Sequence, residues 1–62
     1  MKLTRQQKVA LQRVHERTKT FDTPSTLSYL QFRRTVQPGP GCIMVPYGRM
    51  WLGIEPNGLT HS

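Results

Sequence analysis

Between residues 3 and 18 the chain reads LTRQQKVALQRVHERT, a run with neither Gly nor Pro. At helical periodicity Leu3, Gln7, Ala10, Leu11, Val14 and Thr18 fall on one stripe, which predicts an amphipathic helix over 3–18. Thr4 is placed to cap it, with Gln7 three residues later in capping-box position. Lys2, Arg13 and Arg17 flank the stripe on one side, and Arg5, Lys8 and His15 on the other. The apolar seam is thin and has two basic shoulders.

The second element, within KTFDTPSTLSYLQFRRTVQP, carries two competing signals. Thr23-Pro24 pairs a capping hydroxyl with a proline at the first helical position, and Pro38 ends any helix near Val36. Leu30, Phe32 and Val36 also share a face under strand alternation, broken by Arg34. The capping signal favours a short helix over 24–36, with a strand as the alternative.

QPGPG at 37–41 is a sharp loop, too short to link domains. Beyond it, 42–61 predicts an antiparallel meander of two or three strands. Ile43 to Val45 forms one run, Pro46-Tyr47-Gly48-Arg49 a turn, and Met50 to Glu55 a second run. Glu55-Pro56-Asn57-Gly58 is a β-turn signal, after which Leu59-Thr60-His61 can return as a third strand. Ile43, Val45, Met50, Leu52 and Ile54 are the expected core. Trp51 and Gly53 face the other way. The whole predicts one α+β domain: a basic helix and a short second helix packed on a C-terminal meander.

Sixty-two residues allow a single small core worth only ~3–5 kcal/mol, so a partner, a second copy or marginal stability is expected. One cysteine forms no internal disulfide and suits a reducing compartment. No segment has the length of a membrane span or of a signal-peptide apolar run, so no membrane partner and no export by that route are expected. Nine Lys plus Arg against three acids give a formal charge of +6, which favours phosphate backbones, acidic protein surfaces or anionic lipid.

Chemistry is sparse. Cys42, His15 and His61 are too few and too scattered for a zinc site, and no metal or cofactor is expected. PGPGC carries prolines where a phosphate-cradling loop needs free N–H groups. Glu16, Asp22 and Glu55 lie in unrelated segments and suggest no carboxylate pair. Cys42 with His61 reads more simply as a small thiol and an exposed imidazole than as a nucleophile and its base. The expectation is a protein without catalytic residues.

Binding features are richer. Arg33-Arg34 beside Phe32 and Tyr29 combines cations with stacking surfaces, and the basic helix adds Lys8, Arg13 and Arg17. These five residues, Lys8, Arg13, Arg17, Arg33 and Arg34, are the candidate nucleic-acid contacts. Trp51, with Tyr47 and Arg49, is a candidate contact for a protein partner, since Trp, Tyr and Arg are enriched at hot spots. Helix packing over Trp51 is the competing reading.

The strings LTRQQKVALQRV, YLQFRRTVQP and CIMVPYGRMWLGIEPNGLTHS together resemble a group of very small proteins of tailed bacteriophages. No activity is attached to that group, so no residue role carries over. The resemblance implies a viral protein acting in the host bacterial cytoplasm, or carried in the virion. The expected function is a non-enzymatic binding module for nucleic acid or a host nucleoprotein complex. A minor virion component, or an inhibitor seating Trp51 on a host enzyme, is the alternative.

Overall fold

The computed structural model describes residues 2–17 and 23–62. Two helices, α1 (Arg5–Arg17) and α2 (Thr26–Thr35), precede three strands, β1 (Ile43–Tyr47), β2 (Met50–Ile54) and β3 (Thr60–His61). The strands form one antiparallel sheet in the order β1-β2-β3. The architecture is the expected α+β, with the meander at the C-terminal end.

The start of α1 follows its capping box. Thr4 Oγ1 accepts from Gln7 N at 3.1 Å, while Gln7 Oε1 accepts from Thr4 N at 3.0 Å. Position 18, the expected end of this helix, lies outside the described residues. The second element is a helix, but it starts later than 24. Ser25 is the cap, in extended geometry, with its Oγ accepting from Ser28 N at 3.1 Å. Pro24 stays outside the helix as a buried residue beside Trp51 and Tyr29. Its packing there, ahead of a serine able to cap, moves the start by two residues. Val36 N closes the other end on Phe32 O at 2.9 Å, and Pro38 follows.

The hairpin between β1 and β2 is tighter than the sequence implied. Pro46 and Tyr47 belong to β1, and the turn is Gly48-Arg49 alone, with Tyr47 opposite Met50. Gly48 has φ of 60°, which a two-residue hairpin with glycine first demands. Pro46 is tolerated because β1 is an edge strand. The pair flanking a two-residue turn is hydrogen-bonded, so the next residue out, Pro46, turns its nitrogen away from β2. The second turn forms as expected: Gly58 N donates to Glu55 O at 2.8 Å, and Asn57 Oδ1 accepts from Leu59 N at 3.0 Å.

The sheet has a helix on each face. On one side Val14 of α1 packs against Leu52 and Ile54, with Ala10, Leu11, Ile43, Val45 and Tyr47 around them. Ile54 is fully buried and contributes about 1.5–3 kcal/mol by area. On the other side Phe32 of α2 is buried over Gly53, where a Cβ would lie 3.1 Å from its ring tip. Met50 was expected in the core and is half exposed, because it sits at the hairpin end beyond Leu52, where α1 meets the sheet.

Candidate nucleic-acid interface

Because α1 and α2 lie on opposite faces, the five basic candidates do not form one patch. Arg13 and Arg17 stand one helical turn apart on α1. Along the edge they form, a groove of about 380 Å³ runs between α1 and β3, with Val14 and Leu52 in its floor and Tyr47 and Thr60 in its walls. A second concavity shares Ala10 and Arg13 with the first and continues it toward Arg5, Gln6 and Asn57. Arg13 thus borders both hollows, with Arg17 on the first and Arg5 on the second. Arg5 was assigned to the other shoulder of the helix. The structure sets it with Arg13, at the four-residue spacing 5, 9, 13, 17 that marks one helical row. Lys8 is exposed on the opposite flank, away from this groove.

The ion pair among the described residues joins His61 Nε2 to Glu55 Oε1 at 3.5 Å, and none of Arg5, Arg13 and Arg17 has a carboxylate partner there. The start of the helix that holds these cations is tied to the sheet. Gln7 anchors the helix start: its Nε2 donates to Gly41 O at 2.8 Å and to Ile54 O at 3.0 Å. Thr4 Oγ1 donates to Pro56 O, joining the helix start to the turn before β3.

Arg33 and Arg34 are exposed in the last turn of α2, on the far side of the sheet, where they suit the negative end of the helix dipole. They border a separate recess with Leu27, Leu30 and Gln31. Phe32 is buried, and Tyr29 meets Trp51 edge-to-face with ring centroids 5.1 Å apart. The aromatics beside this arginine pair thus point into the fold rather than toward a base.

Trp51, Tyr47 and Arg49 are also divided. Trp51 is half-buried under the start of α2, and its Nε1 donates to Ser25 O at 3.4 Å. Tyr47 faces α1 and lines the basic groove. Arg49 is exposed in the turn, beside Pro24 and Ser28. The sheet pleat decides this, since residues 47 and 51 lie on opposite faces in the register Tyr47 to Met50 and Pro46 to Trp51.

Cys42 and His61, weighed together in the sequence, each meet Glu55, which the sequence linked to neither. Glu55 Oε1 accepts from Gly39 N at 3.1 Å and faces His61 Nε2, while Cys42 lies beside Glu55 in the same corner. Burial pushes the Cys42 thiol above its ordinary value of 9.0, and the Glu55 carboxylate adds to the rise. Such a thiol is held protonated, the reverse of an activated nucleophile. No trio of His, Cys, Asp or Glu among the described residues is placed to hold a metal ion, and no described helix is long and apolar enough to cross a membrane. No family model, no curated protein and no solved structure matches the chain.

Proposed function

We propose that the chain is a non-enzymatic binding module that seats a nucleic-acid backbone in the groove between α1 and β3. The observation that carries this reading is the row Arg5, Arg13 and Arg17 along two adjoining hollows, with none of the three in a salt bridge to a described carboxylate. Three guanidinium groups on a rigid helix suit successive phosphates, because each offers a planar fork of donors. Tyr47 and Thr60 supply a ring and a hydroxyl at the same depression, and Asn57 an amide. Arg33 and Arg34 fall outside this footprint, since the sheet lies between them and the groove. The proposed setting is the cytoplasm of an infected bacterium, with the virion as the alternative.

The test is fluorescence anisotropy with single- and double-stranded oligonucleotides over ~50–200 mM salt, where phosphate contacts reveal themselves. Three contacts give a log–log slope of about −3 on duplex DNA or about −2 on a single strand. Arg13→Ala or Arg17→Ala flattens the slope by about one unit on duplex DNA, whereas Arg33→Ala does not change it. Binding that ignores salt, or that depends on Arg33 as much as on Arg13, overturns the assignment.

A further inference from the structure

The outward face of α2 has no role in the groove and is not an ordinary solvated surface. Leu27 is 64% and Leu30 53% exposed, and with Arg34 they follow the spacing i, i+3, i+7 that lines up one side of a helix. Arg33 and Arg34 stand at one end of this apolar pair, and the four side chains with Gln31 border an open recess on the surface of the helix. Helix α2 contains no acidic residue, and among the described residues neither arginine has a carboxylate partner. The inward face of the helix is already spent on Phe32, Tyr29 and the sheet.

We infer that this face docks an acidic, apolar segment of another protein, one that places an aliphatic side chain in the recess and carboxylates against Arg33 and Arg34. Charge complementarity selects the occupant. A second copy of the same chain would bring two more arginines and a net charge of +6 against this face, so self-association is opposed. A nucleic-acid backbone would leave Leu27 and Leu30 against phosphates and gain nothing from them. A lipid surface is engaged by a broad apolar helix face, whereas only Leu27 and Leu30 of this helix are large exposed apolar residues. An acidic peptide uses both halves of the patch, its apolar residues on the leucines and its carboxylates in bidentate contact with the arginines. The site lies across the sheet from the Arg13–Arg17 groove, so both surfaces can be occupied at once.

The experiment is selection of a yeast-displayed library of random short peptides on the intact protein, followed by affinity measurement of the selected sequences. Enrichment of Asp and Glu next to Leu, Ile, Val or Phe is expected. Leu27→Ser/Leu30→Ser and Arg33→Ala/Arg34→Ala should each weaken the selected peptides by about tenfold or more, the loss of a hot-spot contact. These side chains are exposed, and circular dichroism of the variants verifies that the fold is kept. Arg13→Ala/Arg17→Ala should leave peptide binding unchanged, which separates this site from the nucleic-acid groove. Selection of peptides without acidic enrichment, or no selection, overturns the inference. So does leucine-dependent binding to phosphatidylcholine–phosphatidylglycerol vesicles without peptide binding, or a leucine-dependent dimer in sedimentation.

Discussion

Gln7 Nε2 donates to the carbonyl oxygen of Ile54 at 3.0 Å from a side chain that is only 1% exposed. The same amide serves Gly41 O and Thr4 N, so one buried polar residue ties the first turn of α1 to the loop before β1 and to the central strand. No buried side-chain nitrogen or oxygen among the described residues lacks a partner. A buried amide stabilises only while its partners are complete, and Gln7 meets that condition.

Gln7→Ala removes the partner of three groups, Thr4 N, Gly41 O and Ile54 O, at ~1–3 kcal/mol for each that neither water nor the strand ladder satisfies in its place. In a domain holding about 3–5 kcal/mol, most molecules should unfold. Gln7→Glu should be worse at neutral pH, because a carboxylate then faces two carbonyl oxygens, and should regain structure on acidification as the acid becomes a donor. Urea titrations followed by circular dichroism measure both. An unchanged midpoint for Gln7→Ala would remove Gln7 from its place at the centre of the fold.

Gly53→Ala is expected to loosen α2. Its added Cβ would stand 3.1 Å from the Phe32 ring tip and 3.3 Å from Cys42 Sγ, closer than ordinary contact. Overpacking of this kind costs ~1–3 kcal/mol. Phe32→Leu in the same chain shortens the side chain at the clash and should recover part of the loss. A double-mutant cycle showing no coupling between positions 32 and 53 would contradict the packing.

Trp51→Ala removes the surface on which Tyr29 and Pro24 rest and the donor to Ser25 O. Truncating a buried Trp costs about 3–5 kcal/mol, and half-burial puts this site at or below the lower end. The free protein's single tryptophan should therefore emit between fully exposed and fully buried limits and be partly protected from quenchers. Fully exposed emission, with a stable Trp51→Ala variant, would instead favour Trp51 as a free contact surface.

Cys42 carries a pH prediction. Its thiol is raised by burial first and by Glu55 second, so the folded state holds the proton more tightly than the unfolded chain. The stability this contributes is fully present below the unfolded value, near 9.0, and is lost as pH rises through the higher folded value. Alkylation by iodoacetamide at neutral pH should be slower than in urea, and Cys42→Ser should flatten the alkaline fall in stability. Equal alkylation rates in folded and unfolded protein would contradict the assignment.

Much of the secondary structure was legible because its causes are local. The Thr4–Gln7 box spans three residues, and so does the hydrogen bond that closes the 55–58 turn. The alternation that puts Leu52 and Ile54 on one pleat face and Trp51 and Gly53 on the other needs only the period of a strand. The helix over 26–35 was a closer matter. The Thr23-Pro24 signal set a helix start at 24 against a competing strand alternation, and with Pro24 buried beside Trp51 the helix starts two residues later, capped by Ser25.

What the sequence by itself determined is therefore the elements, their faces and the excess of positive charge. Which helix covers which face was decided only in three dimensions. Glycine at 53 leaves room for Phe32 on one side of the sheet, and Leu52 with Ile54 offers a flat apolar surface to Val14 on the other. That division separates Arg13 and Arg17 from Arg33 and Arg34, and Tyr47 from Trp51. It also brings Arg13 and Arg17 beside Thr60 of β3, a strand more than forty residues away in the chain. Periodicity ranks residues around one helix axis. It carries no information about which neighbour that axis meets, because that choice depends on side-chain volumes brought together from distant parts of the chain.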